Sequence, residues 1–262
     1  ERGELVLDEL PRIIDKDTAV VAFTHVSNVL GTINPVPVLA QAARKAGAIS
    51  LLDSAQAVGH MPVSFSELGV DFLVFSAHKC YGPQGLGFLL GKRKALESLQ
   101  PVEFGGDMIE YVSYDDATWA KIPHRFEAGT ANAQAVASVP ATIDFIEGLG
   151  TQSIRAHEVE VTAYALSKLG ALRRLRILGP QDASLRGGLV AFHDELVPPH
   201  DLSTVLDSEG VAVRAGHHCA QPLHRELGIP ASTRASFGVY STKGDVDALV
   251  EGIGTARKLF SR

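Results

Sequence analysis

Cysteine is scarce in this 262-residue sequence, which holds only Cys80 and Cys219. That excludes a disulfide-rich secreted scaffold, where several bridges replace a core, and favours a reduced, intracellular protein. Long apolar runs are lacking too, and none approaches the roughly 20 residues of a membrane span. There is no basic excess: 24 Lys plus Arg stand against 30 Asp plus Glu, a formal charge of −6. Nucleic-acid binding needs a basic footprint, so that class is set aside. The opening residues Glu1-Arg2-Gly3-Glu4 carry neither an initiator Met nor a basic-then-apolar signal pattern. The expectation is a chain cut at its N-terminus and working in the cytoplasm, or in an organelle if a leader lay upstream. What remains is an ordinary globular composition, 45% hydrophobic and 21% charged. It is long enough for one large domain or two modest ones.

Strand and helix signals alternate over the first ninety residues. Residues 18–23, 49–52, 71–75 and 86–90 are short apolar runs that read as strands, the first as a strand buried on both faces. Residues 36–46 have helical periodicity and stop at Gly47. This rhythm predicts an α/β fold with a mostly parallel sheet. Residues 101–130 read as irregular and are rich in Gly, Asp and aromatics (Phe104, Tyr111, Tyr114, Trp119, Phe126), so they are expected to be functional or to lie at an interface. From residue 134 the pattern changes. Helices over 134–149, 153–172, 200–209 and 244–259 are interleaved with short strands at 188–192, 211–215 and 233–237. The expected division is 1–133 and 134–262, the second a smaller α+β domain.

Ligands of open parallel sheets bind beyond the carboxyl ends of the strands. Three polar clusters sit there: residues 24–28, 53–56 and 76–79. A pyridoxal cofactor needs a lysine to bond, an acid opposite its ring nitrogen, and donors around its phosphate. Asp53, Ser76, His78 and Lys79 are those types. Each also has a plainer reading, since a strand-end Asp is often a helix N-cap and a Lys after a strand is usually a solvated charge. The residues alone leave both open.

Five segments carry a resemblance. Residues 53–58 (DSAQAV) and 76–85 (SAHKCYGPQG), then 125–130 (RFEAGT), 214–223 (RAGHHCAQPL), and 234–236 (RAS) with Tyr240 occur in order along the chain. They resemble the motifs of the Suf-type cysteine desulfurase and selenocysteine lyase family, class V aminotransferase-like enzymes that use pyridoxal phosphate. The resemblance spans essentially the whole chain. It implies a fold-type I transferase in which residues 1–133 are the later part of the large cofactor-binding domain and 134–262 carry a catalytic cysteine loop.

By this resemblance Lys79 bonds the cofactor and then acts as base at the substrate Cα. Asp53 pairs with the ring nitrogen, Gln56 with the ring oxygen, and Ser76 and His78 with the phosphate. Thr130 completes the phosphate cup across a homodimer interface. Asn28, Arg214 and Arg234 handle the substrate, Arg234 as a clamp on its carboxylate. Cys219 is the nucleophile that takes sulfur as a persulfide, leaving alanine; a thiolate does this, and neighbouring cations favour one. The implied substrate is L-cysteine, with L-selenocysteine the alternative, and the implied sulfur acceptor is a carrier protein serving iron–sulfur cluster assembly. The rival readings are a kynureninase-like hydrolase, which needs no reactive Cys219, and a non-catalytic dimerisation or carrier-binding fragment.

His217, His218, Cys219 and His224 are all metal-ligand types, but adjacent His-His-Cys is not the spacing of a structural zinc site, so no metal is expected. His25 reads as a structural histidine and Cys80 as a small apolar filler. Two departures from the family pattern stand out. Ala131 follows Gly129-Thr130 where Pro is common, and the family's N-terminal glycine- and threonine-containing phosphate loop and ring-stacking histidine are not in these residues.

Overall fold

The computed structural model describes residues 3–261. Glu1, Arg2 and Arg262 lie outside the described residues, and with them the start of the first expected part. After a short helix α1 (Leu10–Ile13) comes the first sheet: β1 (Val20–Thr24), α2 (Val36–Ala46), β2 (Ile49–Asp53), α3 (Phe65–Leu68), β3 (Phe72–Ser76) and β4 (Gly87–Gly91). Its strand order is β1-β2-β3-β4. β1–β2 and β2–β3 are parallel, whereas β4 returns antiparallel to β3. The sheet is thus mostly parallel with one reversed edge strand, an arrangement common among α/β sheets.

α2 forms because Val36, Leu39, Ala40 and Ala43 recur at helical spacing and bury one face. Val36 and Ala40 pack with Leu52, Val70 and Leu73. Gly47 ends the helix at φ 77°, a left-handed conformation that glycine adopts without a Cβ clash. One expectation fails here. β1 alternates exposed and half-buried residues instead of being buried on both faces. Among the described residues it lies at the sheet edge with β2 as its one neighbour, and its apolar run is only partly covered.

Beyond α4 (Arg93–Glu97), the stretch expected to be irregular contains an antiparallel hairpin, β5 (Ile109–Val112) and β6 (Ala117–Trp119), with a register shift between Ile109 and Tyr111. All four residues of β5 are exposed, so the hairpin has no buried face to leave a period-2 signature in the sequence.

Then follow α5 (Ala133–Leu149), α6 (Thr151–Gly170), β7 (Leu175–Ile177), β8 (Leu189–Asp194), α7 (Pro199–Ser208), β9 (Arg214–Gly216), α8 (Gln221–Glu226), β10 (Ser232–Ser236) and α9 (Lys243–Phe260). The second sheet runs β7-β8-β10-β9 and is antiparallel throughout. α6, α7 and α9 close over it around Val161, Ala165, Phe192, Leu202, Leu206 and Ile253. Fully burying a Val, Leu, Ile or Phe side chain stabilises by about 1.5–3 kcal/mol. A small cluster of Val29, Leu30, Leu178, Ala191 and Ile229 ties the loop after β1 to this second core.

Candidate active site

The strand ends of the first sheet bring the expected residues side by side. Asp53 closes β2 and pairs in register with Thr24 of β1 and Val74 of β3. Its side chain accepts from the Ala55 main-chain N–H at 3.0 Å, so the carboxylate is held by the turn that follows the strand. His25 is buried and its Nδ1 lies 2.9 Å from the Ser54 hydroxyl. Burial lowers its pKa, which suits a structural ring.

After β3 the chain enters a tight turn, Ala77–Cys80, that presents His78 and Lys79 outward while Ala77 and Cys80 face in. Burial pushes the Cys80 thiol up, away from the ionised form. Tyr81 follows at φ 64°, a strained setting for a non-glycine residue. Gly59 backs this turn at φ 84°, and a Cβ there would come within 2.6 Å of the Cys80 Cβ. Only glycine allows the two segments to touch.

A cavity of about 270 Å³ lies between the two sheets. Gln56, His78 and Lys79 reach it from the first and Arg234 from β10 of the second. Gly187, Gly188 and Gly238 form part of its wall, Tyr81 and Tyr240 line it from two of the resembling segments, and His60 lines it too, although no sequence argument points to that residue. Asp53, Ser76, Thr130, Asn28, Arg214 and Cys219 are not among its lining residues. Thr130 is exposed, six residues beyond His124, in a segment that lines a separate hollow with Asp107 and Glu127.

Cys219 is exposed and opens on a second hollow shared with Arg214, His217 and His218. The Arg214 Nη2 lies 4.0 Å from its sulfur. His218 and Cys219 both have positive φ, 51° and 64°, so the loop carries strain at two successive non-glycine residues. Asn28 joins this hollow to the cavity. Its Nδ2 donates to the His218 carbonyl at 2.5 Å, and its own carbonyl accepts from Arg234 Nη1 at 2.8 Å. The Arg234 Nε is buried without a hydrogen-bond partner among the described residues. Burial, then the nearby charge of Arg214, lowers the Arg234 pKa, while Cys219 acts in the opposite sense.

His218 is buried behind the thiol. Its Nε2 lies 3.1 Å from the Ser232 hydroxyl, which is also 2.9 Å from His224 Nε2. The Ala220 carbonyl can only accept, so His224 Nδ1 donates to it at 3.0 Å. The Ser232 hydroxyl thus bridges the two rings. The His218 Nδ1 is buried without a hydrogen-bond partner among the described residues. Burial first, then Arg234, His224 and Arg214, brings the His218 pKa down to about 4, so this ring is neutral near pH 7. Among the described residues no three His, Cys, Asp or Glu side chains form a group able to hold a metal ion.

Pyridoxal phosphate, implied by the resemblance, fits the donor set of the cavity. Lys79 supplies a primary amine, His78 and Gln56 supply donors, and the unpartnered Nε of Arg234 offers a cationic donor to a carboxylate.

The chain belongs to the aminotransferase class-V family, whose model matches residues 1–249. It is 48% identical over 98% of its length to a probable cysteine desulfurase of Halalkalibacterium halodurans, and spans 63% of that relative. Among solved structures it superposes on a cysteine desulfurase from Escherichia coli with a TM-score of 0.92 at 35% identity, covering 97% of this chain and 63% of that one. The apo cysteine desulfurase of Thermococcus onnurineus NA1 gives the same TM-score at 36% identity, covering 99% and 64%. The fold is therefore that of the cysteine desulfurases, α/β with a mixed, mostly parallel first sheet.

Proposed function

We propose that this chain acts as a pyridoxal-phosphate-dependent L-cysteine desulfurase that takes substrate sulfur onto Cys219 and releases alanine. The observation that carries this reading is the link from Lys79 to the thiol loop: Lys79 and Arg234 share one cavity, and Arg234 reaches the His218 carbonyl through Asn28. Bound pyridoxal phosphate would supply an electron sink for the bond changes at the substrate. Lys79 would hold the cofactor and move the Cα proton, and His78 and Ser76 would hold the phosphate. Gln56 and Asp53 would orient the ring, and Arg234 would clamp the substrate carboxylate with Asn28 and Arg214 beside it. The Cys219 thiolate attacks the substrate sulfur, so the carbon–sulfur bond breaks as a sulfur–sulfur bond forms, and a proton ends on carbon to give alanine.

Residues 1–133 would act as the cofactor-holding part and 134–262 as the part that bears the thiol. A second copy would complete the site, with Thr130 on the shared phosphate. The exposed Phe104, Tyr111 and Tyr114 of the preceding segment are the apolar surface such a copy would cover. The sulfur would pass to a carrier protein for iron–sulfur cluster assembly, in a reducing cytoplasm.

The test is alanine release and persulfide trapping with L-cysteine, comparing the intact sequence with Cys219→Ala and Lys79→Ala. Loss of the trapped persulfide in Cys219→Ala, with cofactor absorption kept, is the expected result. Full-rate alanine release by Cys219→Ala would overturn the mechanism. Parallel assays with L-selenocysteine decide between the two substrates.

A further inference from the structure

Glu158 is a carboxylate with no exposure, on the buried stripe of α6 between Ile154 and Val161. A buried charge needs a partner, and the partner comes from the other part of the chain. His60 Nδ1 lies 2.7 Å from Glu158 Oε1, and His60 Nε2 lies 2.9 Å from the main-chain carbonyl of Lys79. An ionised carboxylate and a carbonyl can only accept, so the ring satisfies both only by donating from both nitrogens. We propose that His60 is a positioning residue, an imidazolium that ties the Lys79 carbonyl to the buried Glu158 carboxylate and so sets the lysine against the second part.

Three further observations converge on this contact. Gly59, the preceding residue, is pressed against Cys80, the residue after Lys79, so both neighbours in sequence brace the same turn. The other carboxylate oxygen of Glu158 has no hydrogen-bond partner among the described residues and sits 2.8 Å from where a Cβ on Gly188 would be, which seats the pair against the cavity wall. Other charged and titratable groups nearby leave the pairing to His60. Arg155, one turn earlier on α6, feels the charge of Glu158 but gives its guanidinium hydrogen bonds to the carbonyls of Ala183, Ser184 and Arg186. The Tyr81 ring lies 5.9 Å from the His60 ring, and burial, which opposes its ionisation, raises its pKa despite the Val239 N–H contact; the charge of Glu158 adds to the rise. Burial lowers the pKa of His60, but the hydrogen bond and charge of Glu158, with the Lys79 carbonyl, outweigh it and the net shift is upward.

The link to catalysis rests on Lys79 being the cofactor lysine, so the experiment reads the two claims separately. In the full chain without added cofactor, nitrogen NMR of the His60 ring should show both nitrogens protonated at pH 7, with a midpoint above the ordinary imidazole value. The carbonyl carbon signal of Lys79 should move with that same titration. A singly protonated ring at pH 6, or a Lys79 carbonyl indifferent to it, overturns the proposal whatever the protein catalyses.

With pyridoxal phosphate added, Glu158→Gln and His60→Gln should each weaken binding by roughly tenfold, and the double variant should be no worse than the poorer single one. The pH midpoint of the cofactor absorption band should move in both. Unchanged affinity and midpoint in Glu158→Gln would reject the positioning role. Failure of the intact chain to bind cofactor at all would instead count against the desulfurase reading, leaving the NMR result to decide the ion pair.

Discussion

His218 illustrates how a single buried ring makes stability depend on pH. Its ordinary pKa is 6.5, and burial together with neighbouring cations brings it to about 4 in the folded chain. Between those values the unfolded chain binds a proton that the folded chain refuses, so stability falls as pH drops from 6.5 towards 4. Above 6.5 both states are neutral and the group contributes nothing. The span corresponds to a loss on the order of 3 kcal/mol. Urea midpoints at pH 7 and pH 4.5 should therefore differ less in His218→Gln than in the unaltered sequence. Equal differences would mean the ring is not held neutral. His60 works in the opposite sense: its raised pKa adds stability that is fully present below 6.5 and is lost as pH climbs through its folded value. The two histidines act in adjoining pH windows and can be measured apart.

Helix α9 closes the second core, burying Val246, Leu249, Ile253 and Ala256. It starts at a reciprocal cap. The Thr242 hydroxyl accepts from the Asp245 N–H at 3.3 Å, and the Asp245 carboxylate accepts from the Thr242 N–H at 2.7 Å. Thr242→Ala should cost about 1 kcal/mol, read as a melting point lower by about 2–4 °C. An unchanged melting point would show that α9 is held by its packing alone. Helices α2, α6, α7 and α9 were legible because each has a stripe to bury, and 36–46 even carries its glycine stop, whereas α5 buries only Ala135. Three-residue β7 and six-residue α8 were not anticipated, being too short for a period to register. The β5–β6 hairpin escaped because its first strand has no buried face. β1 was misjudged since composition reports apolarity, whereas burial depends on how many neighbours a strand has.

The molecule has two cores, and the cavity between them is where sequence reading reached its limit. Lys79, His78 and Gln56 follow neighbouring strands of one sheet, so their proximity could be anticipated from strand ends. Arg234 and Cys219 were reached through resemblance, because the packing of the second sheet against the first leaves no local pattern. Asn28 likewise was selected as a substrate group, yet here it also braces the thiol loop through the His218 carbonyl. His60 and Glu158 were passed over entirely. A signal did exist, since a carboxylate at 158 interrupts the buried series Ile154, Val161, Ala165, Leu166, Leu169 of a stripe whose one other polar member is the small Thr162. A charge on such a stripe announces a partner without saying which.

The division of that ion pair between two separately packed parts also bears on its history. Losing either member strands a buried charge or an unmet donor, at a cost of several kcal/mol, so one-step replacement at either position is a dead end. An aligned set of relatives should show positions 60 and 158 changing together, the imidazole disappearing only where the carboxylate does. Frequent independent loss of one would mean that the joint tolerates an unpaired charge. If the two do travel together, the contact is an inherited unit, spanning 98 residues of sequence and passed on whole or not at all.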